Sequence, residues 1–193
     1  MKKNFFSIII ILFCFSSFSQ NFKGGIALGI TASQIDGDKN SGYNKLGFNL
    51  RTFVKRNFTE KWQGQLEIGF LQKGTKFTEK LDNDGKIENR INLNYLETPI
   101  LINYIFSEKF DFSFGISPSY LIGFSSEINK VDYTDDLDKL NDFDASALVS
   151  VNYKLTEKFL LNIRMNYSFL PLKSITPFWF NNCISTCLYY QIN

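Results

Sequence analysis

One short pattern occurs three times along this chain, as Phe58-Thr59-Glu60-Lys61-Trp62, Phe106-Ser107-Glu108-Lys109-Phe110 and Leu155-Thr156-Glu157-Lys158-Phe159. Each copy reads apolar residue, Thr or Ser, Glu, Lys, aromatic residue. The copies begin 48 and 49 residues apart, and each joins two runs of alternating apolar and polar residues. A period of two is that of a β-strand with two unlike faces, and a polar tripeptide between such runs is a tight hairpin turn. Longer polar stretches lie before, between and after the copies, at about 35–42, 75–90, 126–142 and 170–179. Short turns at one end and long loops at the other lay out an outer-membrane β-barrel.

The alternating runs number eight. They fall at about 22–33, 43–55, 61–76, 89–106, 110–125, 143–155, 159–169 and 180–193. The fifth is the most regular: Phe110, Phe112, Phe114, Ile116, Pro118, Tyr120, Ile122 and Phe124 share one face, and Asp111, Ser113, Gly115, Ser117 and Ser119 share the other. The fourth is irregular. Ile91, Leu93 and Tyr95 are odd, whereas Leu96, Ile100, Ile102 and Tyr104 are even. That switch predicts a bulge, and Pro99, which donates no ladder hydrogen bond, points to the same place. Each run is long enough to cross a bilayer at a tilt. The expected fold is all-β: an eight-stranded antiparallel up-and-down transmembrane barrel over 21–193.

Residues 1–20 form a separate segment. Lys2 and Lys3 precede an apolar stretch from Phe5 to Phe15, and small residues follow at Ser16, Ser17 and Ser19. This is the pattern of a secretory signal peptide, expected to be cleaved after Ser19 or Gln20. Without Lys2 and Lys3, 19 basic side chains face 19 acidic ones. No net basic field points to nucleic acid. Aromatic residues make up 17% of the chain, with 21 Phe and 9 Tyr, which aromatic girdles at two membrane interfaces would use. Cys183 and Cys187 are four residues apart in one predicted strand, roughly 13 Å at about 3.3 Å per residue. A disulfide between them is excluded in an extended strand.

A soluble lipocalin-like barrel that binds a small apolar ligand has the same strand count but the opposite dressing. It would turn Phe110, Phe112, Phe114 and Ile116 inward. Composition favours the membrane arrangement, because small residues fit the narrow inside of eight strands and large aromatics fit the outside. The polar face then carries Arg51, Glu67, Glu97, Asp111 and Arg164 into the interior. Buried charges demand partners, so these five are expected to form a paired polar core that fills the barrel. Which residue pairs with which does not follow from the sequence. With both termini periplasmic, the four long loops face outside the cell. Outer-membrane lipid, lipopolysaccharide and the barrel-assembly machinery are the expected partners.

Catalytic and metal signatures are weak. Histidine is absent, so Ser-His and Asp-His arrangements are impossible. Asp82-Asn83-Asp84-Gly85 resembles the start of a calcium loop, but its required glutamate falls on Leu93. A hairpin turn is the better reading there. The acidic run Asp132, Asp135, Asp136, Asp138 and Asp142 fixes no ligand geometry. We therefore expect no enzyme, no cofactor and no metal.

Three segments resemble the PorT-like outer-membrane β-barrel family. They are Ser33-Gln34-Ile35-Asp36-Gly37-Asp38 with Gly42-Tyr43-Asn44-Lys45-Leu46-Gly47, then Tyr95-Leu96-Glu97-Thr98-Pro99-Ile100, then Asn181-Asn182 through Ile184-Ser185. The resemblance implies an eight-stranded outer-membrane barrel. It also implies a link to a protein-secretion apparatus, since the founding member serves one. The final residues Tyr190-Gln191-Ile192-Asn193 depart from the family in lacking a terminal aromatic.

Overall fold

The structure, a computed structural model, describes residues 22–38, 42–80, 86–134, 140–173 and 178–192. The expected signal peptide and the Asp82–Gly85 turn lie outside the described residues, as do Asp135, Asp136 and Asp138 of the acidic run. The strands are β1 (Phe22–Asp36), β2 (Lys45–Asn57), β3 (Trp62–Lys80), β4 (Lys86–Glu97), β5 (Ile100–Ile105), β6 (Phe110–Ile128), β7 (Val131–Asp132), β8 (Phe143–Lys154), β9 (Phe159–Ser168) and β10 (Phe180–Gln191). β4 and β5 are two parts of one barrel strand, since both pair with β3 and with β6. β7 only extends the tip of β6. Eight barrel strands remain among the described residues, every pairing between them antiparallel. β1 pairs with β10 from Gly25↔Gln191 to Asp36↔Phe180, which closes the sheet into a ring. A closed ring leaves no unpaired strand edge, the condition for a sheet to cross lipid.

The three turn copies share one hydrogen-bond scheme. In the first, Phe58 N and Thr59 N donate to Trp62 O at 2.8 and 3.2 Å, while Thr59 Oγ1 accepts from Lys61 N and Trp62 N. Ser107 and Thr156 do the same for Lys109 and Phe110 and for Lys158 and Phe159. The hydroxyl satisfies amides that the tight turn strips of ladder partners, which is why each copy carries Thr or Ser there.

The barrel is polar inside and apolar outside. Phe110, Phe112, Phe114 and Ile116 point outward at 42, 44, 48 and 49% exposure. The same outward face carries Ile26, Leu28 and Ile30 on β1, Leu46, Phe48 and Leu50 on β2, and Ile163, Met165 and Tyr167 on β9. Soluble proteins rarely expose contiguous apolar patches of more than a few hundred Å². This band continues round the ring, and the soluble alternative, which needs those side chains inside, fails.

Two expectations are corrected. The inside–outside phase of β4 and β5 does not switch: Ile91, Leu93, Tyr95, Glu97, Leu101 and Asn103 all face inward, and Leu96, Ile100 and Ile102 face outward. Apolar residues occur at both parities because the inner wall is itself apolar at the long-loop end. There Ile35, Ile91, Leu93, Tyr95 and Leu121 pack with Leu140 and Leu172 from two loops, and Trp179 lies against them. The irregularity sits instead on β6, where Asn94↔Gly123 is followed by Tyr95↔Leu121 and Ile122 is passed over. Pro99 marks the break between β4 and β5. Second, 75–90 is not simply a loop, because the β3–β4 ladder continues to Lys80↔Lys86. A hairpin with water on both faces loses the apolar alternation that marks a strand in sequence.

Candidate functional site

The strand register brings the inward-facing charges together at mid-barrel. Arg51 comes from β2, Glu67 from β3, Glu97 from the end of β4 and Arg164 from β9. All four are 1% exposed. Arg51 Nε donates to Glu97 Oε1 at 2.5 Å and lies 3.7 Å from Glu67 Oε2. Arg164 grips Glu67 with both ends of its guanidinium, at 2.7 and 2.9 Å. Tyr189 OH from β10 accepts from Arg164 Nη2 at 2.9 Å and donates to Glu67 Oε1 at 2.8 Å. Ser117 Oγ donates to Glu97 Oε2 at 3.1 Å. Bidentate, charge-assisted pairs of this kind are what makes buried charge tolerable. Cys187 joins the edge of the network: its Sγ accepts from Arg51 Nη1 at 3.3 Å and donates to Asn49 Oδ1 at 3.0 Å. Cys183 and Cys187 are both free thiols.

A second buried pair lies nearer the long-loop end. Lys73 Nζ reaches Asp144 Oδ2 at 3.1 Å and sits 5.0 Å from the ring centroid of Tyr95. Ser168 Oγ also donates to Asp144, and Asn181 Nδ2 donates to Tyr95 OH at 2.9 Å. Lys73 has the polar-face parity of Glu67 on the same strand, whereas Asp144 and Tyr189 were not among the residues expected in the core. The signal was there in parity: Asp144 lies opposite the outward Phe143, and Tyr189 alternates with the outward Leu188.

Asp111 does not join the paired core. It is half-buried, its carboxylate accepts from Asn152 Nδ2, and it lines a mouth of about 140 Å³ at the short-turn end with Lys23, Lys55 and Lys154. It is the first inward residue after the Ser107–Lys109 turn, so its parity points it inside at a height that water reaches.

At the long-loop end of the sheet, Lys45, Lys76 and Arg90 line an open pocket of about 240 Å³ with Asn44 and Leu46. Glu88 pairs with Lys76 and with Arg90, each at 3.1 Å. At the tip of the β6–β7 hairpin, hydrogen bonds from the Thr134 hydroxyl and amide hold the Asp132 carboxyl below the usual carboxylate range. Among the described residues no group of three His, Cys, Asp or Glu is placed to hold a metal.

A closed eight-stranded ring with a paired, charged interior and a continuous apolar belt defines an outer-membrane β-barrel protein. The outer membrane protein beta-barrel domain matches residues 18–174, and the chain belongs to that family. The fold is similar to that of Ail, the attachment invasion locus protein of Yersinia pestis, solved in complex with the heparin analogue sucrose octasulfate. The TM-score is 0.55 at 11% identity, over 89% of this chain and 99% of that one. Neisserial surface protein A is similar in the same way, with a TM-score of 0.55 at 10% identity, over 86% of this chain and 96% of that one. At such identities the likeness is one of fold alone. No curated protein matches the chain in sequence.

Proposed function

We propose a non-enzymatic outer-membrane protein that works through its surfaces, with periplasmic termini and four loops facing outside the cell. The observation that carries this is the filled interior. The Arg51–Glu97 and Arg164–Glu67–Tyr189 pairs cross the barrel at mid-height, and the apolar cluster of Leu93, Tyr95, Leu140 and Leu172 blocks the long-loop end. Eight strands leave no aqueous channel once side chains occupy the lumen. The work is then left to the loops, the rims and the lipid-facing wall, toward lipopolysaccharide, the assembly machinery or secretion proteins. The resemblance to the PorT-like family supports a place beside a secretion apparatus. Two measurements on the full chain test this reading. Planar bilayers should show no stepwise conductance, and a deletion strain should lose secreted proteins from its medium. Open-channel currents in reconstituted protein would contradict the filled interior, and an unchanged secretome would remove the secretion link.

A second reading rests on the Lys45, Lys76 and Arg90 pocket. Ail was solved with a sulfated heparin analogue, and three cations round an open pocket suit a polyanion in the same chemical way. Cells should then bind labelled heparin, with binding that falls in Lys76→Gln/Arg90→Gln. Equal binding by the double variant would remove this reading.

A further inference from the structure

On the lipid-facing wall, near the short-turn end, Phe22, Arg56, Gly64 and Ile102 stand side by side on four successive strands. The register Phe22↔Arg56, Arg56↔Gly64 and Gly64↔Ile102 fixes this row. Gly64 has no side chain to fill its place, so a groove of about 370 Å³ opens there. It is bounded by Val54, Phe58, Leu66 and Ile100. Phe58 folds over the gap: a Cβ on Gly64 would lie 2.4 Å from its ring. Arg56 is the one cation on this outward row. Its guanidinium lies 5.8 Å from the Phe22 ring centroid, and among the described residues no carboxylate pairs with it. Two residues toward the turn, the Trp62 and Tyr104 rings meet at a tilt, their centroids 4.9 Å apart. Trp and Tyr gather at the headgroup level of a membrane, so this row sits just inside that level.

We propose that this groove holds one glycerophospholipid. An acyl chain lies along Val54, Leu66 and Ile100, against the Phe58 ring that covers Gly64, and the phosphate sits on Arg56. An arginine with no carboxylate partner among the described residues, at the foot of an apolar groove beside the aromatic belt, has the charge for a phosphate and the fork to bind two of its oxygens. The proposal rests on the reading that the short turns face the periplasm, because the periplasmic leaflet is phospholipid and the outer one is lipopolysaccharide.

The test is native mass spectrometry of the full chain extracted from outer membranes in mild detergent. Wild type should retain one phospholipid per barrel. Arg56→Gln should lower that occupancy by about tenfold or more, and Gly64→Leu, which fills the groove, should do the same. Both variants should keep heat-modifiable migration, which reports a folded barrel. Lys61→Gln, in the adjacent turn, should retain the lipid as wild type does. Equal phospholipid retention by Arg56→Gln and wild type would overturn the proposal. A lipid A mass retained through Arg56 would overturn the orientation and with it the phospholipid assignment. A dimer abolished by Gly64→Leu would make the groove a contact between copies and overturn the lipid.

Discussion

Arg51 and Arg164 are both fully buried, and each has a carboxylate within ordinary hydrogen-bond distance. Glu97→Gln leaves Arg51 with no carboxylate nearer than that of Glu67, at 3.7 Å. Removing one partner of a buried pair costs on the order of 3–5 kcal/mol, whereas an exposed change such as Glu60→Gln stays within about 0.5 kcal/mol. The urea midpoint of refolded protein in detergent should fall clearly for Glu97→Gln and stay near wild type for Glu60→Gln. Equal midpoints would show that Glu97 is not in a buried pair. Tyr189→Phe removes a hydroxyl that serves both Arg164 and Glu67, and the same measurement should read a loss of about 1–3 kcal/mol. Parity alone placed Arg51, Glu67, Glu97 and Arg164 on the inner face. It could not pair them, because Arg51 on β2 reaches past β3 to Glu97 on β4, and Arg164 on β9 reaches across the lumen to β3. Those meetings depend on the stagger of the strands, which alternation does not encode. Asp111 shows the same limit: its parity is right, but its height is set by the turn that precedes it.

The hairpin turns are the elements most fully written in the sequence. Each uses a hydroxyl to accept from two backbone amides, so Thr59→Ala, Ser107→Ala and Thr156→Ala should each cost about 0.5–1.5 kcal/mol. The three hydroxyls share no hydrogen-bond partner, and the triple variant should approach the sum of the singles in the same urea assay. A triple variant no weaker than one single would show that the hydroxyls do not brace the turns. Gly74 on β3 has φ +140, and a Cβ there would lie 1.9 Å from Ile91 O. Gly74→Ala should therefore destabilise by about 1–3 kcal/mol, the cost of a strained backbone position. Retained heat-modifiable migration with an unshifted midpoint would contradict it. Elements were misread where both faces have like surroundings. At residues 91–95 an apolar inner wall imitates a phase switch, and at 75–90 a hairpin beyond the apolar belt imitates a loop.

At the scale of the whole molecule, closure and the inverted dressing follow from one another. A ring of eight antiparallel strands pairs its backbone within the wall, its narrow lumen admits small and paired polar side chains, and the bulky apolar ones are left facing out. The eight runs, the short-turn and long-loop ends and the direction of the apolar face could all be read from alternation and residue size. The loop-borne lid of Leu140 and Leu172 could not, since single apolar residues in polar loops carry no periodic signal. The apolar face therefore meets lipid while its alternate meets a filled polar lumen. Single spin labels placed in turn from Phe112 to Ser117 on β6, in protein reconstituted into lipid vesicles, test it most directly. Collision rates with lipid-dissolved oxygen should peak at 112, 114 and 116 and fall at 113, 115 and 117. Peaks at the odd positions, or no alternation at all, would contradict it.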